Sequence, residues 1–291
     1  MINPKRIFVI DALAMVHRCF WAFKNLASSD GTPTGAVFGS AGFLTQLIKS
    51  QRPDYMVMCM DVGAPTFRHQ MYPDYKANRK EKDETLSSQI PLCKELAKCM
   101  DIPVLGIAGY EADDLIGSIS AQFATDETNV YIVSADKDFM QLINKNVFMY
   151  KPMKWPEFEI IDTAKVVEKF GIQPSQVVDA LAIIGDAADN IPGVHGIGEK
   201  GAAKLIKSYG SLDGVYENFH NVTGKKAIEG LAKSRDSAYL SRDLATIVKD
   251  IDLGITLEDM KFDQKSLNNE KLMEFYARLD FASLLPEKTV D

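Results

Sequence analysis

Nine acidic residues of this chain occupy positions where the sequence predicts strand ends and helix starts. They are Asp11, Asp61, Glu111, Asp113, Asp114, Asp136, Asp138, Asp186 and Asp189. Carboxylates brought close together raise each other's pKa unless cations neutralise them. Hard divalent ions, Mg²⁺ above all, are the usual partners of such oxygen ligands, and pairs of them most often serve phosphoryl chemistry. The set therefore predicts a metal-dependent site that acts on phosphates.

Short apolar runs followed by helical patterns are the elements that must position these side chains. The predicted strands cover residues 7–10, 55–60, 102–107 and 130–133, and the predicted helices cover 36–49, 86–100, a segment from 111, and 138–143. Repeated strand–helix units of this composition indicate a buried parallel sheet. Ligands of open α/β sheets bind beyond the carboxyl ends of the strands, so we expect the carboxylates to converge on one pocket.

The pattern changes near residue 172, where glycine-punctuated helical segments replace the strands. Helices are predicted from Pro174 to Gly185, from Ser234 to Val248 and from Asn269 to Leu279. Proline is well tolerated in a first helical turn. The predicted organisation is therefore an α/β domain at 1–171 and a smaller helical subdomain at 172–291.

A glycine-rich block at 185–200 follows the first of these helices. Gly193, Gly196 and Gly198 permit positive φ angles and close backbone approach. The helix that begins near residue 199 would point free N–H groups outward, as phosphate sites do, and Lys200 and Lys204 add charge. An ordinary corner between two helices is the alternative. The neighbouring acidic residues favour binding of a DNA backbone.

Basic and aromatic side chains alternate in the stretch 66–80, which includes Arg68, Tyr75, Lys76 and Arg79. Aromatic rings stack on bases and cations contact phosphates, a combination that suits a binder of single strands or flaps. A solvated surface loop is the alternative. The stretch follows Asp61 closely, which would put it at the mouth of the pocket and favours a function.

Bulk composition constrains the class of protein less than these motifs do. The chain has 291 residues and a net charge of −7, which argues against a general nucleic-acid coat. An acidic pocket that later binds metals accounts for such a charge in a DNA enzyme. The four cysteines form no Cys-x-x-Cys pair, and we expect buried reduced thiols. Without a signal peptide or a long apolar span, the sequence predicts a soluble cytoplasmic protein with no membrane partner.

Several of these motifs, in this order, resemble the 5′ nuclease family, which includes the 5′→3′ exonuclease domain of bacterial DNA polymerase I and stand-alone exonucleases and flap endonucleases. The resemblance rests on Phe67-Arg68, the Tyr75–Arg79 segment, Glu111-Ala112-Asp113-Asp114, Ser134–Asp138 and Gly185–Lys200, and the later segments Ala238–Ser241 and Leu244–Thr246 also fit. It implies a PIN-like or resolvase-like α/β fold with a parallel central sheet flanked by helices. It also implies a helix–three-turn–helix at about 185–209 and an arch or clamp at about 63–84.

The resemblance implies a role for each matching residue. Asp11, Asp61, Glu111, Asp113 and Asp114 match the family's first metal group, and Asp136, Asp138, Asp186 and Asp189 match the second. Lys76, Arg79 and Arg18 match catalytic basic residues. Arg68, Tyr75, Gly193, Gly196, Gly198, Lys200 and Lys204 match DNA-binding positions. Two or more Mg²⁺ ions, replaceable by Mn²⁺, are implied, together with K⁺ at the helix–three-turn–helix.

The implied function is a structure-specific 5′ nuclease that hydrolyses DNA by two-metal catalysis, in removal of replication primers and in repair. Its substrates would be 5′-flapped, nicked or 5′-ended duplexes, RNA primers included, and a DNA polymerase would be a partner. A PIN-type ribonuclease, a non-catalytic DNA-structure binder and a small-molecule phosphatase remain alternatives. Ala12 and His17 depart from the glycine and the aromatic residue usual in the family.

Overall fold

Six strands form a single sheet in the computed structural model, which describes residues 3–63, 65–79, 83–154 and 156–285. The strands are β1 (Lys5–Asp11), β2 (Tyr55–Cys59), β3 (Val104–Leu105), β4 (Thr128–Val133), β5 (Val147–Pro152) and β6 (Phe158–Ile161). Their order is β3-β2-β1-β4-β5-β6. All neighbours pair in parallel except β5 and β6, which pair antiparallel.

Helices connect and cover these strands. Those of the first part are α1 (Ala12–Ala22), α2 (Gly35–Gln51), α3 (Phe67–Met71), α4 (Glu84–Cys99), α5 (Ala112–Phe123) and α6 (Thr163–Phe170). Those of the second part are α7 (Val177–Ile184), α8 (Glu199–Tyr209), α9 (Leu212–Glu217), α10 (Lys225–Lys233), α11 (Arg235–Ala245) and α12 (Glu270–Arg278). Six short 3₁₀ helices lie between them, at Lys137–Leu142, Pro174–Gln176, Phe219–Asn221, Glu258–Met260, Gln264–Asn268 and Ala282–Leu284.

The central strand β1 is buried on both faces, which explains its unbroken apolar run. Ile7 and Val9 belong to one core cluster, and Phe8 and Ile10 belong to the other. Successive side chains of a strand point to opposite faces, so a strand covered on both sides must be apolar throughout. The predicted α/β class with a parallel sheet flanked by helices is confirmed, with one antiparallel edge strand added.

Different helices cover the two faces of the sheet. The first cluster joins one face to α5, α6 and the helices from α7 to α11. The second cluster joins the other face to α1, α2 and α4, and it also takes in Leu272 and Phe275 of α12. Residues 270–281 therefore pack against the α/β part, although the sequence assigns them to the helical subdomain.

Three elements differ from the predictions. Strand β3 has two residues rather than six. It begins directly after Pro103, which has no N–H to donate, and ends before Gly106, where a Cβ would lie 2.9 Å from the carbonyl oxygen of Met60. The hairpin of β5 and β6 was not predicted. The predicted helix from Pro174 divides into a 3₁₀ turn and α7, which ends at Gly185 with a φ of 70°. Within the described residues no helix is long and apolar enough to cross a membrane.

Candidate active site

Eight of the nine acidic residues line one pocket of about 290 Å³ at the carboxyl ends of β1, β2 and β4. They are Asp11, Asp61, Glu111, Asp113, Asp136, Asp138, Asp186 and Asp189. Lys76, Arg79 and His17 line the same pocket. The structure therefore brings these eight carboxylates together in one pocket, as their positions at strand ends led us to expect.

Hydrogen bonds fix the carboxylates that follow β1 and β2. Asp11 caps α1 by accepting the N–H of Ala14 at 3.1 Å, and its second oxygen accepts the Ser134 hydroxyl at 2.9 Å. Asp61 accepts the N–H of Ala112 at 2.7 Å, which ties the end of β2 to the start of α5. Each carboxylate thereby stabilises a helix start, and both residues line the pocket.

Glu111 receives two donors from the basic and aromatic stretch. The Tyr75 hydroxyl donates to its Oε2 at 3.0 Å, and Lys76 Nζ lies 2.6 Å from its Oε1. Burial and the adjacent Glu111 carboxylate raise the pKa of Tyr75, so the phenol stays protonated and remains a donor. The predicted DNA-binding residue Tyr75 is itself buried, with 4 % of its surface exposed.

The second acidic group lies across the pocket. Asp136 caps the 3₁₀ helix at 137–142 by accepting the N–H of Asp138 at 3.0 Å. Asp186 accepts the N–H of Ala188 at 2.7 Å within a tight loop. Asp189 pairs with Arg79, whose Nε donates to Oδ1 at 3.0 Å. Its other oxygen lies 3.7 Å from Lys76 Nζ.

The stretch around Lys76 is anchored directly to the acidic loop at 186–190. The N–H of Lys76 donates to the Asp189 carbonyl at 2.9 Å, and Asn78 donates to the carbonyl of Ala187 at 2.6 Å. Asn190 returns a bond to the carbonyl of Asp74 at 2.7 Å. Lys76 has a φ of 59°, an uncommon conformation for a residue with a side chain. Parts of the predicted arch, residues 64 and 80–82, lie outside the described residues.

Burial and mutual repulsion shift several of these carboxyl groups toward the neutral form. Burial raises the pKa of Asp11 to about 6, against hydrogen bonds from Ala14 and Ser134 that lower it. Burial and the charge of Asp136 raise the pKa of Asp138 to about 7. Burial, then Asp11 and Asp136, raise the pKa of Asp113 well above its ordinary value. The pocket therefore has more negative charge than its own cations neutralise.

The donor chemistry of this pocket fits hard divalent cations. All eight ligand candidates offer carboxylate oxygens, and Asp138 Oδ1 is buried without a hydrogen-bond partner. Among the described residues no three acidic, histidine or cysteine side chains already converge closely enough to hold one ion. Mg²⁺ typically binds through one or two carboxylates, water and substrate phosphate rather than through an all-protein cage. An open acidic pocket therefore suits it.

Asp114 does not lie on the pocket, contrary to the prediction. Its side chain is fully buried and forms a two-oxygen ion pair with Arg68 at 2.7 and 2.8 Å. Consecutive residues of a helix point about 100° apart, and here Asp113 faces the pocket while Asp114 faces the interior. Arg68, predicted to bind DNA, is 2 % exposed and is committed to this pair.

Arg18 also lies away from the predicted place. Its guanidinium donates to the carbonyl of Met153 at the β5–β6 hairpin and does not line the pocket. His17, one residue earlier, does line it. Ala12 is buried in the first turn of α1.

The glycine block forms a tight turn between α7 and α8. Gly193 and Gly196 have φ angles of 63° and 81°. A Cβ on Gly185 or Gly193 would lie within 3 Å of the other residue's backbone, so this crossing requires glycine. Gly198 is the N-cap of α8. Lys200 and Lys204 are exposed on α8, and their contact with phosphates stays a prediction.

Several contacts that shape the site could not be predicted, although the residues that make them lie within the matched motifs. Ser134, which holds Asp11, precedes an acidic motif but could not be paired with residue 11 from spacing. The Ser241 hydroxyl accepts the N–H of Gly193 at 2.9 Å across 48 residues of sequence. Asn78 and Asn190 cross-link two loops. Only a three-dimensional structure reveals such distant pairs.

A resolvase-like α/β sheet with an acidic pocket at its strand ends, followed by a helical part with a glycine turn, defines a class of nucleases. The family model for the 5′-3′ exonuclease N-terminal resolvase-like domain matches residues 6–171, and the model for the 5′-3′ exonuclease C-terminal SAM fold matches residues 172–268. The chain belongs to the 5′-3′ exonuclease family.

Two relatives illustrate the range of this family. A 5′-3′ exonuclease of Aquifex aeolicus is 36% identical over 283 residues, which cover 97% of this chain and 95% of that protein. A DNA polymerase I of Caldicellulosiruptor bescii is 37% identical over 285 residues, 96% of this chain. The chain spans about one third (33%) of the length of that polymerase.

Solved structures share the fold over nearly the whole chain. The T5 5′-exonuclease with bound zinc has a TM-score of 0.67 and 21% identity, covering 95% of this chain and 99% of that one. The catalytic core of Rad2 in complex with DNA substrate has a TM-score of 0.61 and 16% identity, covering 95% and 87%. At these identities the likeness bears on the fold.

Proposed function

We propose that this protein is a structure-specific 5′ nuclease, active as a 5′→3′ exonuclease and flap endonuclease on DNA. The observation that carries the proposal is the pocket that eight carboxylates share with two basic side chains, Lys76 and Arg79, of the basic and aromatic stretch. Family membership supports the same activity. Substrates are duplexes with a 5′ flap, a nick or a free 5′ end, RNA primers included.

The acidic residues of the pocket form two sets that would bind two or more Mg²⁺ ions, and Mn²⁺ could replace Mg²⁺. Asp11, Asp61, Glu111 and Asp113 form the first set, and Asp136, Asp138, Asp186 and Asp189 form the second. Bound ions of this kind neutralise charge on a phosphate and lower the pKa of an attacking water. The buried unpartnered oxygen of Asp138 supports a cation on that side.

Lys76 and Arg79 bind the scissile phosphate and stabilise the charge that spreads over its oxygens. In this structure these cations pair with Glu111 and Asp189. Entry of a phosphate therefore requires an exchange of partners, from carboxylate to phosphate oxygen. Water adds to phosphorus, the bond to the 3′ oxygen of the preceding nucleotide breaks, and the products carry a 5′-phosphate and a 3′-hydroxyl.

The glycine turn and the exposed lysines of α8 hold the duplex through its phosphates, so recognition depends on DNA shape rather than on base sequence. K⁺ bound by backbone carbonyls belongs to this part of the proposal. The cellular role is removal of replication primers and repair in the cytoplasm, together with a DNA polymerase. The polymerase relatives support that partner, since a matching region forms part of the same polypeptide there.

Cleavage of a 5′-labelled flap duplex, with Mg²⁺ and with chelator, tests the proposal. We expect metal-dependent cutting near the flap junction, and no cutting by Asp113→Asn, which keeps the shape of the side chain but removes its charge. That variant should still bind the flap duplex. Binding without cutting by the parental protein would favour a non-catalytic binder. Degradation of single-stranded RNA, with the flap DNA intact, would favour a PIN-type ribonuclease.

A further inference from the structure

The Arg68 guanidinium lies where three segments of the chain meet. Arg68 belongs to α3, at the base of the basic and aromatic stretch. Its Nη1 and Nη2 donate to the two oxygens of Asp114 in the first turn of α5. Its Nε donates to the carbonyl of Leu244 at 2.8 Å, and Nη2 also donates to the carbonyl of Thr246 at 2.9 Å.

Burial separates this ion pair from solvent, DNA and metal alike. The side chains of Arg68 and Asp114 are 3 % and 0 % exposed. All three guanidinium nitrogens are engaged, and the planar fork of arginine matches a carboxylate in a way that lysine cannot. The pair therefore acts through the groups that it holds in place.

Glu111 is the pocket residue that this pair holds. The N–H of Glu111 donates to Asp114 Oδ2 at 3.2 Å, which fixes the backbone just before α5. Arg68 Nη1 lies 3.6 Å from Glu111 Oε2, the same oxygen that accepts the Tyr75 hydroxyl. Both the backbone and the carboxylate of Glu111 are thus positioned from the buried side of the pocket.

The same pair is bonded to the helical part of the chain that carries the glycine turn. Leu244 lies in the last turn of α11, and the N–H of Val248 donates to Asp114 Oδ1 at 3.0 Å. One turn earlier on α11, Ser241 accepts the N–H of Gly193. A single helix therefore contacts the glycine turn at one point and the Arg68–Asp114 pair at another.

We propose that Arg68, together with Asp114, is a positioning residue that sets Glu111 in the pocket relative to the helical part that carries the glycine turn. The inference rests on the proposed nuclease function and assigns that function a residue outside the pocket. Neither side chain binds metal or DNA. Their role is to keep the acidic pocket and the duplex-binding turn in one fixed arrangement, so that a duplex held at the turn presents its phosphate to the pocket.

Neutralising both partners at once provides the main test, because it leaves no unpaired buried charge. In the variant Arg68→Gln/Asp114→Asn, we expect kcat on the flap duplex to fall about 10- to 100-fold through misplacement of Glu111. The KM for the flap and its affinity in Ca²⁺, measured by fluorescence anisotropy, should stay near the parental values. This split between kcat and KM would not follow from a general loss of structure. The melting temperature of the variant reports its folding.

The variant Arg68→Lys provides a second test, because it keeps the positive charge but removes the planar guanidinium that binds both oxygens of Asp114. Its kcat should also fall, with flap affinity retained. The matched control is the more accessible pair of Arg242 and Asp213, also 2.8 Å apart, changed to Gln and Asn in the same way. We expect parental kcat from that control.

Parental kcat in the folded double variant would overturn the inference. If the double variant does not fold, parental kcat in Arg68→Lys would overturn it. An equal loss of kcat and of flap affinity would also overturn it, since the pair would then support the fold in general. Absence of cleavage by the parental protein would instead refute the proposed function, and the inference with it. The two failures are therefore distinguishable.

Discussion

At the scale of single residues, the acidic pocket works against the stability of the protein that contains it. Eight carboxylates share the pocket with Lys76 and Arg79. Burial and neighbouring carboxylates raise the pKa of Asp11 to about 6 and that of Asp138 to about 7, which means that their charged forms destabilise the folded protein. Active sites commonly trade stability for function in this way. Removing one charge should therefore stabilise the metal-free protein while it abolishes activity.

Asp11→Asn tests this trade. Asparagine is as good an N-cap as aspartate, so the bond from Ala14 is retained. The rise in the pKa of Asp11 from 3.8 to about 6 corresponds to about 3 kcal/mol of cost to the native state at neutral pH. We expect a higher melting temperature in chelator at pH 7 and loss of flap cleavage. Differential scanning calorimetry with and without Mg²⁺ checks the first point, and Mg²⁺ should stabilise the parental protein more than the variant.

The pH dependence of the same variant has a defined sign. Between pH 3.8 and about 6 the native Asp11 binds more protons than the unfolded chain does, so stability in chelator falls as pH rises through this window. The Asp11→Asn variant should lose less stability over that range. Asp126→Asn is the control, because Asp126 does not line the pocket and forms an exposed ion pair with Lys145. A melting temperature of Asp11→Asn at or below that of the parent at pH 7 would contradict the argument.

At the scale of elements, periodicity and composition predicted the central strands and most helices. The apolar runs of β1, β2 and β4 are unambiguous because both faces of the sheet are covered. The hairpin of β5 and β6 escaped prediction, since its buried residues are interrupted by partly exposed ones, among them Lys151 and Glu159, and so form no continuous apolar run. The short length of β3 also escaped prediction, because the effect of Pro103 depends on how this segment aligns with β2. Tertiary contacts decide that register.

Helix geometry also explains why part of the acidic motif was misassigned. The sequence Glu111-Ala112-Asp113-Asp114 presents three carboxylates in four residues, but α5 turns about 100° at each position. Asp113 consequently faces the pocket and Asp114 faces the interior, where Arg68 meets it. The partner lies 46 residues away in sequence. A motif match identifies acidic residues and leaves their directions open.

The prediction that belongs to α8 concerns its two exposed lysines. Lys200 and Lys204 are four residues apart, so they lie on one face of the helix. If each contacts one DNA phosphate, the double variant Lys200→Ala/Lys204→Ala should lower the slope of log affinity against log salt by about 2. Anisotropy titrations of a flap duplex over a range of KCl concentrations, in Ca²⁺, give this slope.

The expected loss in affinity for Lys200→Ala/Lys204→Ala is the same for different base sequences, because phosphate contacts carry no sequence information. Lys145→Ala is the control, because Lys145 is an exposed lysine outside α8 and the glycine turn and pairs with Asp126. A slope equal to that of the parental protein would remove α8 from the DNA contact.

At the scale of the whole molecule, the chain crosses between its two parts more than once. Residues 6–171 and 172–268 match the two family domains. By Phe262 the chain has returned to the α/β part, since the N–H of Phe262 donates to the carbonyl of Asp54 at 2.9 Å. Further along, Asn269 donates to the carbonyl of Cys99 at 2.7 Å and Arg278 pairs with Glu95 at 2.7 Å. The helical part is therefore held to the sheet at both of its ends.

This return predicts that the far end of the chain stabilises the sheet without contributing to the pocket. Phe275 is 3 % exposed, in the same core cluster as Phe8 and Ile10 of β1. Phe275→Ala should cost about 3–5 kcal/mol through lost burial and a cavity, and lower the melting temperature by on the order of 10 °C. Below that temperature kcat on the flap should match the parent, because the pocket lies at the strand ends and takes no residue from α12. Glu274→Ala, an exposed neighbour, serves as the control for helix propensity. A parental melting temperature for Phe275→Ala would mean that α12 does not stabilise the sheet. A loss of kcat at low temperature would mean that this face of the sheet helps to arrange the pocket.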